Sequence, residues 1–416
     1  MAPESFAVST ADEFESTAEN PLLVAEIRAR LEREGRITFR DFMDMALYHP
    51  HHGYYRSSRE KMGRAGDYLT SPEVHPLFGH VVGRQLGEMW EIMGSPARFD
   101  LLEMGAGNGL LARDILLWAQ RLHPAFFEAL AYRVAETSPA LAERQRDMLG
   151  ALGLRLRRKV TWESDTALAA GSVSGCLLSN ELVDSFPVHR VAVEGGELRE
   201  VYVVWREGRF AEELGSPSTP ELHAYFQRLG LLPGEGCRAE VNLAALEWMR
   251  QVGGALARGF VLTFDYGHEA TELYAPWRRD GTLLCFYRHN PSSDLYARIG
   301  KQDMTAHVDF TSVVEEGRRH GLEPLSITTQ ARFLAALGIG EALARLAPPQ
   351  ADPPLAEDGQ ARPPGATLPL EEYYARRRAI TELLDAAGLG RIRVLVQARG
   401  VGRCTLRGLA EQKAGR

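Results

Sequence analysis

The chain has 416 residues, 45% apolar, 25% charged and 8% aromatic, proportions that exclude a disordered, collagen-like or acidic solvating polymer. Its 48 basic and 55 acidic residues leave a net charge of −7, which argues against a nucleic-acid footprint. The length admits roughly two to three domain-sized units. Only four of the basic residues are lysines, and the 44 arginines are scattered, which reads as codon bias rather than as an anion-binding surface. Cys176, Cys237, Cys285 and Cys404 lie far apart with no Cys-x-x-Cys pair, so neither a disulfide framework nor a zinc site is expected. The acidic N-terminus lacks the basic and apolar regions of a secretory signal, and no apolar run approaches the ~20 residues of a membrane helix. A soluble, cytoplasmic protein without membrane insertion is expected.

After a polar segment over 1–19, the spacing of Leu22, Leu23, Ile27 and Leu31 predicts a helix from Pro21 to Glu34, stopped by Gly35. A second helix spans Phe39–Tyr48, ahead of a loop rich in Gly, His and Tyr (His49–Ser71) and an apolar helix from Pro72 to Met93. The pattern then alternates. Strands are expected at Arg98–Met104, Ala131–Glu136, Lys159–Trp162 and Val173–Ser179, with helices at Asn108–Leu122 and Pro139–Leu149. Such alternation predicts a parallel sheet covered on both faces. A hairpin (Val188–Glu194 with Leu198–Arg206) interrupts it, and helices at Glu221–Leu229 and Leu243–Leu256 lead to a strand at Gly259–Tyr266. Glu323–Thr329 and Arg391–Gln397 read as late strands able to pair, separated by the proline-rich stretch Ala347–Pro369, which reads as a mobile loop.

The most informative segment runs from Leu101 through Glu103 to Gly109, where a buried strand enters Glu-x-Gly-x-Gly-x-Gly and then a helix. Gly105, Gly107 and Gly109 permit tight turning and close approach of a ligand to the main chain. A dinucleotide fingerprint requires glycine where Leu110 stands, so a pyrophosphate is disfavoured. The spacing instead resembles the first motif of class I S-adenosylmethionine-dependent methyltransferases, in which the acidic residue, here Glu103, orients the methionine part of the ligand. The next strand ends at Glu136, a carboxylate able to accept both ribose hydroxyl protons. The alternative is that Glu136 caps the following helix.

Asn180, Glu181 and Asp184 follow the fourth strand, at the edge that faces the reaction site in an open α/β sheet. Two converging carboxylates can fork around a guanidinium or take the proton of a nucleophilic amine. The alternative is capping of a helix start by acidic side chains. Further on, His307 and Asp309 are candidates to line the site, with Asp309 equally placed to cap the helix Phe310–His320. The twelve histidines show no HxxxH or HExxH pattern, so no metal is expected.

Several blocks together resemble the MidA-like methyltransferases, a family that includes a mitochondrial complex I assembly factor that methylates a protein arginine. They are Ile37–Met43 with Ala46–Pro50, Gly53–Tyr55, Gly66–Glu73, the glycine turn, Ser179–His189, Asp265–Gly267, Thr305–Phe310 and Thr329–Ile339. The chain departs from the family's usual turn at Ala106, Asn108 and Leu110 without losing a glycine, and its proline-rich insert is atypical. The resemblance implies a class I (Rossmann-like) α/β fold with a seven-stranded methyltransferase sheet, a helical N-terminal part and inserts that form a substrate pocket. It also implies S-adenosyl-L-methionine as cofactor, with Gly66, Asp67 and Thr70 lying over it.

On this reading 1–95 is the N-terminal part with a cofactor-covering loop, and 96–346 the core with an insert at about 188–256. The loop 347–369 follows, and 370–416 supply a helix and strand that complete the core. The expected activity is methylation of arginine in a protein or peptide, with Glu181 and Asp184 localising the guanidinium charge and Asn180 and His307 nearby. A mildly acidic chain suits a basic peptide. A small-metabolite substrate, or a cofactor-binding assembly factor without catalysis, are the alternatives. An apolar stripe in the first helices is a candidate contact for a homodimer, with burial inside the chain as the other reading.

Overall fold

The computed structural model describes residues 19–56, 61, 63, 66–163, 168–344 and 370–410. The readings made for 1–18 and for Ala347–Pro369 lie outside the described residues. The chain divides into two compact units.

The larger unit comprises Leu69–Asp184, Ala245–Glu269 and Val308–Arg416. Its sheet contains β1 (Phe99–Met104), β2 (Leu130–Ala135), β3 (Val160–Glu163), β4 (Val173–Asn180), β5 (Leu256–Asp265), β6 (Glu323–Thr329) and β7 (Arg393–Arg399). They lie in the order β6-β7-β5-β4-β1-β2-β3. Adjacent pairs from β3 to β5 are parallel, whereas β7 runs antiparallel to both β5 and β6. Every residue of β1 is buried, as a central strand covered on both faces requires. The chain winds outward from β1 to β3, then returns to place β4 on the other side of β1. That reversal is a topological switch point, the place where ligands bind in open α/β sheets. Met104 pairs with Ser179 across it, so the glycine turn and the Asn180–Asp184 segment leave the sheet side by side.

Two helix boundaries differ from the expected ones for local reasons. The helix expected from Asn108 starts at Leu110, because Gly109 has φ 78° and cannot continue it. The helix expected over Pro72–Met93 is two, Ser71–Val74 and Leu77–Ile92, because His75 is extended ahead of Pro76. Asp309 is a helix cap: Oδ1 accepts the N–H groups of Thr311 and Ser312, and Oδ2 the Ser312 hydroxyl. Asp309→Ala is expected to cost about 1 kcal/mol and lower Tm by about 2 °C, measured by calorimetry.

The smaller unit comprises Met1–Tyr68, Ser185–Ala244 and Ala270–His307. The N-terminal part expected as one piece is thus divided after Tyr68, and two separate inserts, rather than one at 188–256, join its first portion. The hairpin His189–Glu194 with Glu197–Arg206 is present, extended by Ile37–Thr38, Arg209–Gly215 and Arg238–Val241 into a five-stranded antiparallel sheet. A three-stranded sheet of Leu284–Tyr287, Asn290–Ser292 and Asp303–Thr305 belongs to the same unit. The apolar stripe considered for a homodimer is used internally: Leu23, Val24, Ile27 and Leu31 are buried with Ile37, Phe42 and Val203. Only Leu22 of that helix remains as an exposed large apolar residue.

Candidate active site

The turn after β1 takes its shape from Gly105, Gly107 and Gly109, at φ 72°, 52° and 78°. A Cβ on Gly105 would stand 2.8 Å from Leu182 Cδ1, so glycine here also lets the turn pass the β4 edge. Glu103 points into the core, 2% exposed, where it accepts a 2.7 Å hydrogen bond from the Tyr132 hydroxyl. Burial pushes its carboxyl up to about 7, opposed by that bond and assisted by the neighbouring Glu136 charge.

A carboxyl with a raised folded pKa is relatively stabilising while protonated, and the folded state weakens as pH rises from the unfolded value through about 7. Glu103→Gln is therefore expected to raise ligand-free stability at pH 8 by up to roughly 3 kcal/mol, and by little at pH 4. Thermal melts at the two pH values check this.

Glu136 follows β2. Its Oε1 accepts the Ser138 N–H at 2.8 Å, which is helix-start bonding, while Oε2 accepts the Gln145 amide at 3.2 Å. Gln145 also donates to the Gly107 carbonyl at 2.8 Å and accepts from the Trp162 indole at 2.9 Å. This buried glutamine ties the glycine turn to Glu136, and sequence reasoning missed it. Its signal was a polar residue on the helix stripe Ala142, Gln145, Leu149.

Glu181 stands at the end of β4 with φ 50°, a left-handed conformation that costs a non-glycine residue about 1 kcal/mol or more. Its N–H bonds the Phe264 carbonyl of β5 at 2.8 Å. Its carboxylate Oε1 accepts the Ser71 N–H and the Asn180 amide, each at 3.1 Å. Burial is the main influence on this carboxyl and pushes it up to about 8; the two donors oppose this, and the charges of Asp265 and Glu73 add to it. The Ser71 hydroxyl donates to Gln330 at 2.9 Å, and Asn108 donates to Glu73 Oε1 at 2.8 Å. The residues after Thr70 therefore lie against both the glycine turn and Glu181.

Glu181 and Asp184 do not share a helix face, because Glu181 is left-handed and only Val183–Ser185 make a short 3-10 turn. Asp265 caps that turn through Oδ2, which accepts the N–H groups of Leu182 at 3.2 Å and Val183 at 2.8 Å. Beside it, burial raises the Tyr266 phenol, and the charges of Glu181, Asp184 and Asp265 add to the rise while Arg391 opposes it. The charges of Glu181, Asp184 and Asp265 thus all act on one phenol. Asp265 and Tyr266 were legible as part of the Asp265–Gly267 block at the end of the fifth strand, but without a role.

Asp67 and His307 belong to the smaller unit. Asp67 is fully buried; its Oδ2 accepts the Tyr54 hydroxyl and its Oδ1 the Arg288 N–H, both at 2.8 Å. Gly66, beside it, is also buried, and its N–H bonds the Gly63 carbonyl at 2.9 Å. His307 donates its backbone N–H to the Thr282 hydroxyl at 3.0 Å. Among the described residues no group of three or more His, Cys, Asp or Glu is arranged to hold a metal ion, and no helix is long and apolar enough to cross a membrane.

A family model described as "Putative S-adenosyl-L-methionine-dependent methyltransferase" matches residues 81–328. The Drosophila melanogaster protein arginine methyltransferase NDUFAF7 homolog, mitochondrial, is 30% identical over 70% of this chain and 69% of its own length. The Homo sapiens protein arginine methyltransferase NDUFAF7, mitochondrial, is 27% identical over 77% and 75%. Among solved structures, a candidate methyl transferase from Burkholderia thailandensis bound to S-adenosyl-homocysteine superposes with a TM-score of 0.83 at 30% identity, covering 98% of each chain. The strand order, the glycine turn at the switch point and these likenesses agree: the chain belongs to this family of S-adenosyl-L-methionine-dependent methyltransferases.

Proposed function

We propose that the protein methylates an arginine side chain of a protein partner. The observation that carries this reading is Glu181, a carboxylate held in a left-handed turn at the switch point, with a second carboxylate, Asp184, three residues on in the same turn. The relatives named protein arginine methyltransferases support it.

The site suits the cofactor on its own chemistry. Asn180 Oδ1 is buried with no hydrogen-bond partner among the described residues, an acceptor available to a cationic amino-acid end. Glu103, Glu136 and the bare main chain of Gly105, Gly107 and Gly109 would hold the rest, with Thr70 alongside. When bound, S-adenosylmethionine supplies an electrophilic methyl group on a sulfonium.

The residues of the chain do the remainder. A guanidinium is protonated and a poor nucleophile at neutral pH. Glu181 and Asp184 draw its positive charge to one side, leaving the other nitrogen richer in electrons and aligned for in-line attack. The proton released on methylation passes to Glu181 in its ionised form, a form that its carboxyl, raised to about 8, gains as pH rises through that value. The formal charge of −7 favours approach of a basic segment. Four free thiols suit the reducing cytoplasm, which is part of this proposal. The roles assigned lie in the larger unit, and none is assigned to Gly66, Asp67 or His307.

The test is to incubate the purified protein with methyl-labelled cofactor and extract from a deletion strain, then locate the label by mass spectrometry. Label on arginine of one polypeptide is expected. Label only in the small-molecule pool overturns the protein-substrate reading, and complementation by a variant that binds cofactor without turnover overturns catalysis as its role.

A further inference from the structure

We infer that Asp265 is a positioning residue that sets the Glu181–Asp184 turn and the Tyr266 phenol in one arrangement through its two carboxylate oxygens. The inference rests on the role proposed for Glu181. Asp265 ends β5, is fully buried, and makes no use of its charge at the surface. Oδ2 gathers the N–H groups of Leu182 and Val183, and Oδ1 accepts the Tyr266 N–H at 2.9 Å. The Asp184 N–H bonds the same carboxylate. Successive N–H groups that converge in this way form an anion nest, here filled by the protein's own side chain.

The geometry explains an otherwise costly feature. Glu181 holds φ 50° without being glycine, and such a conformation persists only where its surroundings over-determine it. On one side its N–H is anchored to the Phe264 carbonyl, the residue before Asp265. On the other, the next three N–H groups converge on Asp265 itself. Two neighbouring residues of β5 thus clamp the strained residue from both ends. Oδ1 meanwhile fixes the backbone of Tyr266, whose phenol the Glu181 and Asp184 charges reach.

The charge of Asp265 also acts on Glu181. Burial raises both carboxyls, the surrounding N–H groups lower them, and each lies within reach of the other. The other groups facing Glu181 are the Glu73 carboxylate, the Asn180 amide, the Ser71 N–H and the Tyr266 phenol. Removing the Asp265 charge leaves Glu181 easier to ionise.

Asp265→Asn keeps the shape and one acceptor oxygen, and presents an amide where the Tyr266 N–H needs an acceptor. Turnover is expected to fall roughly 30-fold or more with the Kd for S-adenosyl-homocysteine within about 2-fold of wild type. The ascending limb of the pH–rate profile is expected to move to lower pH by roughly half a unit or more, a change that mere loosening would not produce. Wild-type turnover with an unmoved limb overturns the inference. So does an equal loss of cofactor binding and turnover with the limb in place.

Glu181→Gln is measured in parallel. If it keeps full turnover, the role of Glu181 fails, whatever Asp265→Asn does. If Asp265→Asn does not fold, Asp265→Ser carries the same readouts. Amide exchange of residues 181–186 in the wild-type protein needs no variant: slow exchange is expected, and exchange as fast as in an exposed loop overturns the clamp.

Discussion

Glu181→Gln is expected to lower kcat by about two to three orders of magnitude while leaving cofactor affinity within about 2-fold. The substitution is nearly isosteric, and Oε1 can still accept from Ser71 and Asn180, so the left-handed turn has no steric reason to change. What disappears is the negative charge that localises a guanidinium, and with it the acceptor for the departing proton. The wild-type profile adds a check with a definite sign. Glu181 is protonated below about 8, so turnover is expected to rise with pH through that value, and the variant should lose the limb. Steady-state rates from pH 6 to pH 9 with a labelled cofactor measure both. Turnover at the wild-type level would remove Glu181 from the chemistry.

Gly175→Ala is expected to destabilise the larger unit by about 4 kcal/mol or more, enough to leave the protein insoluble or to lower Tm by about 10 °C. Gly175 lies inside β4 at φ 151°, and a Cβ there would stand 2.1 Å from the Asp100 carbonyl oxygen of β1. Its neighbour across the sheet, Gly259 of β5, is equally tight, since a Cβ on it would stand only 1.9 Å from the Gly175 carbonyl oxygen. No side chain can yield, because both obstacles are backbone. These two glycines let three central strands meet near the opposite end of the sheet from the switch point, and no sequence motif marks them. Gly254→Ala is the control. Gly254 lies in the helix Leu243–Ala255 and a Cβ meets nothing within 4 Å, so a gain of up to about 1 kcal/mol is expected. Chemical denaturation of the two variants side by side separates crowding from propensity.

Periodicity and turn chemistry made the central sheet legible before any coordinates. The strands up to Val173–Ser179 each read as a short apolar run between a helix and a loop, and each is present to within a residue or two. The helices Pro21–Glu34 and Phe39–Tyr48 carry their own caps in Asn20 and Thr38, which is why their limits could be read locally. The strands Arg209–Gly215 and Arg238–Val241 carried no such signal, since the first is polar and the second has only four residues. Their pairing with the hairpin is decided by contacts distant in sequence.

By itself, the sequence carried the resemblance to a methyltransferase family: strand, three-glycine turn and helix are contiguous, and the blocks around them, from Ile37–Pro50 to Thr329–Ile339, complete the likeness. Position just beyond an apolar strand also marked Asn180, Glu181 and Asp184 as candidate site residues. What joins those groups was decided only by tertiary structure. Gln145 bridging Gly107 and Glu136, Ser71 reaching Glu181, and Asp265 clamping the Glu181 turn all link residues that the sheet order alone brings together. The reason is physical. A buried polar side chain acquires its role from the donor or acceptor it faces, and the crossover that sets β5 beside β4 determines which one that is.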